Sequence, residues 1–176
     1  MIETTCEEEI IEKLNTAPTV RGFFIAAVDV FSDSIDNLIK KVFRRDEFEV
    51  KTVVTRLLNE SGPLNDLSNR LKFLFGLGVL PDDIYHDIED IISLRNNLNQ
   101  DAKQYKFTDI NVINSLKKLR LVNKSNVIPF EQLDSNEDIS DEFLQIQHQR
   151  QRQIIKSGLS LAIIDICVQL NSYEAK

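Results

Sequence analysis

Apolar residues recur every three or four positions along most of the chain, which is the spacing of one face of an α-helix. The clearest case lies within residues 18–44, where the apolar positions are Val20, Phe23, Phe24, Ala27, Phe31, Ile35, Leu38, Ile39 and Val42. The same spacing predicts helices over 47–59, 63–77, 81–99 and 110–120. No stretch alternates apolar and polar residues over the length of a strand. The pattern therefore predicts an all-α fold.

The last predicted helix begins at Ser140 or Asp141 and ends near residue 170. Within it, 157–170 carries one charged residue, Asp165. A helix that is apolar on nearly every face is normally enclosed by others, so we expect 157–170 to be buried on all sides. The expected contacts join Leu159, Ile163, Ile166 and Leu170 to Phe24, Phe31 and Leu38 of the 18–44 helix.

The first half of this helix is polar and rich in glutamine. We expect it either to project into solvent or to pack against a second copy of the chain, as a homodimer, along Phe143, Ile146 and Ile154. With 176 residues, of which 42% are hydrophobic, the whole chain 1–176 is expected to form one all-helical domain. That domain would be a compact multi-helix bundle around the hydrophobic C-terminal helix, with 123–141 as a loose acidic connector.

Charge and composition indicate the cellular compartment and the partners to expect. The net charge of −7 opposes contact with nucleic acid and with anionic membranes. No uncharged run exceeds nine residues, whereas a membrane-spanning helix needs about 20 apolar residues. The N-terminal segment is rich in glutamate, unlike a signal peptide. Two cysteines, Cys6 and Cys167, are too few for a disulfide framework. These features favour a cytoplasmic protein without a membrane partner.

The common catalytic motifs are absent from the sequence: it has no phosphate loop, no Cys-x-x-Cys and no His-Glu-x-x-His. The two histidines, His86 and His148, offer little for acid–base catalysis. His86 and Asp90 share a helix face, which suits either a weak cation site or, as we favour, a solvated acidic surface. We therefore expect no enzyme activity, no catalytic residue, no metal and no cofactor.

Two carboxylates interrupt apolar stretches, Asp29 in the first long helix and Asp165 in the last. A buried carboxylate needs a cation or several hydrogen-bond donors. Arg21, Arg70 and Arg95 are candidate partners for buried ion pairs. The alternative is that these carboxylates line a pocket for a small molecule or a partner.

Basic residues cluster in two places, and each cluster could meet phosphate. The clusters are Lys40, Lys41, Arg44 and Arg45, and Lys117, Lys118, Arg120 and Lys124. Neither lies in a recognisable helix-turn-helix, and acidic blocks surround both. Direct DNA binding is therefore not expected.

Several stretches, in one order and at similar spacing, resemble the mannitol operon repressor family of bacteria. They are TVRGFFIAAVD (19–29), VFRRD (42–46), SGPLNDLS (61–68), RLKFLFGLGV (70–79), LRNNLNQD (94–101) and YKFTD (105–109). The resemblance extends over about residues 10–122 and, more loosely, over the closing helix.

The resemblance implies a compact all-helical protein that negatively regulates mannitol uptake and use, or a paralogue of such a regulator. It also implies no recognised DNA-binding domain, so the expected mechanism is contact with a protein partner, either another regulator or a transport-system component. One position departs from the family: Gln100 stands where a histidine is common.

Two further functions remain open. An effector-sensing domain could bind a sugar phosphate, since arginine side chains match phosphate oxygens. An all-helical ribonuclease is disfavoured, because the segment from Arg95 to Gln100 has the arginine and polar spacer but lacks the histidine. The residues expected to bind a partner or an effector are Arg44, Arg45, Arg70, Lys72 and Arg95.

Overall fold

The computed structural model describes residues 2–43, 48–126, 128–129 and 140–174. These residues form helices and connections without a strand, so the all-α prediction is confirmed. In chain order the helices are α1 (Ile2–Asn15), α2 (Val20–Val42), α3 (Phe48–Leu58), α4 (Leu67–Gly76), α5 (Asp82–Leu98), α6 (Ile110–Lys117), α7 (Arg120–Ser125) and α8 (Asp141–Asn171).

Helix α2 lies at the centre, in contact with α1, α4, α5 and α8. It buries most of its apolar residues, including Phe23, Phe24 and Phe31. Phe23 makes edge-to-face contacts with Phe24 at 5.4 Å and with Phe107 at 5.3 Å between ring centroids, an arrangement that aromatic pairs favour. The packing of Phe107 brings the segment after α5 against the start of α2.

Helix α1 was not predicted. Its glutamates are conspicuous in the sequence, but Ile10 and Leu14 are spaced four apart and both are buried in the core. The helix contacts α2 and α8, so two apolar side chains are enough to fix one face of an otherwise acidic segment.

The helices predicted over 18–44 and 63–77 both begin later than predicted, at Val20 and Leu67, so the prolines at positions 18 and 63 lie outside them. The Thr19 hydroxyl accepts a hydrogen bond from the Gly22 N–H at 2.9 Å and caps α2, so Pro18 lies before the helix. Pro63 lies in a turn, in which the Leu64 carbonyl oxygen accepts a hydrogen bond from Arg70 Nε at 2.6 Å. Helix α4 begins after this turn, at Leu67.

The predicted helix 110–120 is divided into α6 and α7. Asp87 of α5 is 1% exposed, and its carboxylate accepts hydrogen bonds from the backbone N–H groups of Arg120 and Leu121 at 2.8 and 2.9 Å. The carboxylate thus caps α7 from a neighbouring helix. Burial raises the pKa of Asp87, and these two hydrogen bonds oppose that rise.

The predicted connector 123–141 is partly helical, because α7 extends to Ser125. Asn126 follows in the left-handed conformation, with φ 52°, and ends the helix. Residues 127 and 130–139 of the predicted connector lie outside the described residues.

Helix α8 packs against α2 as predicted, and Leu159, Ile163, Ile166 and Leu170 are all buried in the core that contains Phe24, Phe31 and Leu38. The prediction that 157–170 is buried on all sides was wrong. Leu161 is 58% exposed and Val168 is 41% exposed. The apolar residues of α8 therefore lie on two faces, of which one packs inside the bundle.

Among the described residues, α8 is also the one helix with the length and composition to cross a membrane. Length and composition alone do not distinguish a spanning helix from a core helix. The buried face of α8 packs against α2 and α1, which is the arrangement of a core helix. In its first half, Phe143, Ile146 and Ile154 are exposed, and their contact with a second subunit stays a prediction.

Candidate functional site

The carboxylates predicted to form buried ion pairs are both exposed: Asp29 lies on the outer face of α2, and Asp165 on the outer face of α8. Asp165 accepts a hydrogen bond from Gln169 Nε2 at 3.0 Å, one turn along the same helix. The ion-pair prediction for these two residues was wrong, because the apolar residues around each carboxylate are divided between faces of the helix.

Arg70, a predicted binding residue, contacts the fold itself. Its guanidinium forms an ion pair with Asp36 of α2, and it donates hydrogen bonds to the carbonyl oxygens of Leu64 and Asn65. Its side chain is 12% exposed. Arg70 therefore joins α2 to the turn that precedes α4.

The other predicted binding residues are scattered. Lys72 is exposed on α4. Arg95 of α5 donates from Nε and Nη2 to Asn96 Oδ1, at 3.2 and 3.0 Å. Arg44 and Arg45 lie outside the described residues. A role in binding stays a prediction for all five residues of the set.

A cleft of about 380 Å³ lies among three segments: the α1–α2 connection, the segment 102–107 after α5, and the middle of α8. Of the predicted binding residues that the structure describes, Arg70, Lys72 and Arg95 do not line it. The side chains around it include five cationic ones, and no acidic side chain of the described residues lines it. We call this site the cationic cleft; its cations are Arg21, Lys103, Lys106, Arg152 and Lys156.

Arg21 builds one wall of the cleft. Its Nε donates to the Leu98 carbonyl oxygen at 2.9 Å, and its Nη2 donates to the carbonyl oxygens of Asp101 and Lys103 at 2.7 and 3.0 Å. The same Nη2 lies 3.9 Å from the Asp101 carboxylate. Arg21 thus holds the backbone after α5 against the start of α2.

A second set of contacts shapes the segment after α5. Asp101 accepts hydrogen bonds from the Tyr105 hydroxyl at 2.8 Å and from the Lys103 N–H at 3.0 Å. These bonds lower the pKa of Asp101, and the bond to Asp101 raises the pKa of Tyr105. The Lys103 ammonium lies 5.5 Å from the centre of the Tyr105 ring, so the lysine is positioned by the aromatic face.

Helix α8 forms the opposite wall with Arg152 and Lys156. The two residues are spaced four apart, which places them on one face of the helix. Lys156 Nζ lies 3.5 Å from the Ala17 carbonyl oxygen, to which it donates. The Nε of Arg152 is buried and has no hydrogen-bond partner among the described residues. A buried donor without an acceptor is uncommon in folded proteins.

This cleft was not predicted from the sequence, because its cations do not form a run of basic residues along the chain. Lys103 and Lys106 lie about 50 residues before Arg152 and Lys156, and only the packing of α8 brings the two pairs together. The spacing of Arg152 and Lys156 was the available signal, but the surrounding glutamines suggested a solvated face.

The histidines provide no comparable site. His86 Nε2 lies 3.3 Å from Asp82 Oδ1 rather than pairing with Asp90, and Asp82 also forms an ion pair with Arg120. Within the described part of the chain, no group of three or more histidine, cysteine or acidic residues is arranged to hold a metal ion.

The sequence of this chain is similar to those of known proteins. The family model described as mannitol repressor, MtlR, matches residues 6–171. The mannitol operon repressor of Escherichia coli K12 is 35% identical over 170 residues, which are 96% of this chain and 84% of the relative. Fumarase E of E. coli K12 is 27% identical over 107 residues, which are 60% of this chain and 63% of the relative.

Comparison of the fold with solved structures agrees with the match to the family model. The MtlR chain from the X-ray structure of the MtlR–HPr complex of E. coli is 33% identical, with a TM-score of 0.85 over 95% of this chain and 99% of that one. The family resemblance deduced from the sequence stretches is thereby confirmed. With a family model that matches nearly the whole chain and a repressor relative that aligns along nearly all of it, the chain belongs to the mannitol repressor family.

Proposed function

We propose that this chain represses mannitol genes in the cytoplasm by binding a protein partner, and that the partner is an HPr protein. The observation that carries the proposal is the match, along nearly the whole chain, to a repressor that was solved in complex with HPr. This partner is a more specific form of the transport-system component expected from the sequence resemblance.

Electrostatics supports a protein partner over direct contact with an operator. The net charge is −7, and one basic cluster is partly neutralised within the fold, because Arg120 forms an ion pair with Asp82 and Lys124 with Asp83. DNA affinity arises largely from cations that replace counterions on phosphates, and cations already paired with carboxylates contribute less to it.

Calorimetric titration of the chain with purified HPr tests the proposal. We expect saturable binding at one site. Lys72→Glu and Arg95→Glu probe the predicted binding residues, and Lys118→Glu, a charge reversal at another exposed position, is the control. If Lys72 or Arg95 lies in the interface, its reversal weakens binding at least about tenfold, a change of about 1.4 kcal/mol. Absence of binding to HPr by the unaltered chain contradicts the proposed partner.

We also propose that the chain is a regulator without fumarase activity. Neither His86 nor His148 lines the cationic cleft, and the similarity to Fumarase E covers 60% of this chain. Purified protein should therefore leave fumarate unconverted in a hydration assay followed by loss of ultraviolet absorbance. Turnover above a preparation of an inactive control protein would assign the chain an enzymatic role.

A further inference from the structure

We propose that the cationic cleft binds a small organic anion with at least two negative charges, a phosphate monoester or a dicarboxylate. The cleft has a volume of about 380 Å³ and is lined by five cationic side chains. Both ligand types present closely spaced anionic oxygens, which is the chemistry that arginine and lysine side chains bind. This proposal does not depend on the one for HPr.

The charge distribution around the cleft differs from that elsewhere in the molecule. Several cations elsewhere in this acidic protein pair with carboxylates, as Arg70 does with Asp36 and Lys124 with Asp83. Within the described part of the chain, no carboxylate forms an ion pair with Arg152 or Lys156. The two side chains line a cleft that no acidic side chain of the described residues lines. The Asp101 carboxylate lies 3.9 Å from Arg21 Nη2 but is not part of the lining.

The unsatisfied Nε of Arg152 points to the kind of group that belongs in the cleft. A buried donor without an acceptor is unfavourable in a folded protein, and a rotation of the Arg152 side chain towards the cleft would give its Nε an oxyanion oxygen as acceptor. A guanidinium binds an oxyanion through two parallel N–H groups, so the Nε edge of arginine suits a phosphate or a carboxylate. Lys156, one helical turn away, would supply a second charge to the same ligand.

The ligand would also connect separate parts of the fold. It would contact α8 through Arg152 and Lys156, and the segment after α5 through Lys103 and Lys106. A ligand that binds only the folded state raises its stability in proportion to the logarithm of the ligand concentration. Binding can therefore be followed by the melting temperature as well as by heat.

The experiment is titration calorimetry and thermal melting of the full chain, at low ionic strength, with inorganic phosphate, mannitol 1-phosphate and fumarate as separate probes. We expect at least one probe to bind and to raise the melting temperature, with affinity falling as salt is added. Arg152→Gln should weaken binding at least about tenfold. Arg150→Gln removes an exposed charge outside the cleft on the same helix and should change affinity less than about twofold.

The probes distinguish the two sources of the anion. Binding of mannitol 1-phosphate but not fumarate identifies a phosphate site, and the reverse identifies a dicarboxylate site. Lys156→Gln provides a second variant, and the cooperative melt of each unliganded variant shows that it is folded. The proposal is overturned if none of the probes binds at millimolar concentration, or if Arg152→Gln and Arg150→Gln weaken binding equally.

Discussion

Truncation of two residues of α8 that lie only two positions apart should change the free energy of unfolding by very different amounts. Ile163 is 0% exposed in the core beside α2, whereas Leu161 is 58% exposed. Ile163→Ala removes three buried carbon atoms, worth about 2.4 kcal/mol of transfer free energy, and the remaining cavity brings the loss of unfolding free energy to about 2–5 kcal/mol. Leu161→Ala should change it by no more than about 0.5 kcal/mol.

Urea unfolding followed by circular dichroism measures both changes, with wild-type protein alongside and the slope m used to check that the unfolded states match. In a chain of this length, each kcal/mol shifts the melting temperature by about 2–4 °C, so Ile163→Ala should melt about 4–20 °C lower. Equal losses in the two variants would refute the assignment of inner and outer faces to α8.

Other predictions follow from the buried polar groups. Asp87→Ala leaves the N–H groups of Arg120 and Leu121 without their acceptor, at about 1–3 kcal/mol each. The control Asp90→Ala, on the same helix, should lower the free energy of unfolding in urea by no more than about 0.5 kcal/mol. Equal losses for Asp87→Ala and Asp90→Ala would contradict the capping role of Asp87. Burial raises the pKa of Cys167 to about 11. A thiol reagent at pH 8 should therefore modify only the exposed Cys6 in the native protein and both thiols after denaturation. Rapid labelling of both thiols in the native protein would contradict the burial of Cys167.

We also propose that the chain folds as one domain. The buried apolar residues of α1, α2, α5 and α8 belong to one core, so unfolding should be a single transition when followed by circular dichroism and by calorimetry. Two resolved transitions would show that part of the chain unfolds independently.

Helices with continuous periodicity were predictable from the sequence, whereas their faces and starts depended on tertiary contacts. Phe23 and Phe31 of α2 follow the helical spacing and are buried. Pro63 suits a first helical turn and also a loop, and the hydrogen bond from Arg70 to Leu64 selects the loop. In α8, apolar residues occupy two faces, and sequence spacing alone does not determine which one meets α2.

The cationic cleft was less predictable than the helices, because tertiary packing brings its residues together from separate elements. From the sequence, Arg21 is one of three candidate partners for a helix carboxylate, whereas in the structure it donates hydrogen bonds to the backbone carbonyl oxygens of Leu98 and Asp101. Lys106 and Arg152 approach each other only because α8 packs beside the start of α2. Charge runs along the sequence identify basic stretches, whereas this site is assembled from single cations on separate elements.

The most direct test of regulation through a protein partner is the activity of a mannitol operon promoter in bacteria whose own repressor gene is replaced by this chain. A reporter gene would be measured with and without HPr, at matched levels of the chain. The chain should lower reporter expression several-fold when HPr is present, and this repression should be largely lost without HPr. Equal repression in the two strains, or no repression in either, would contradict regulation through a protein partner.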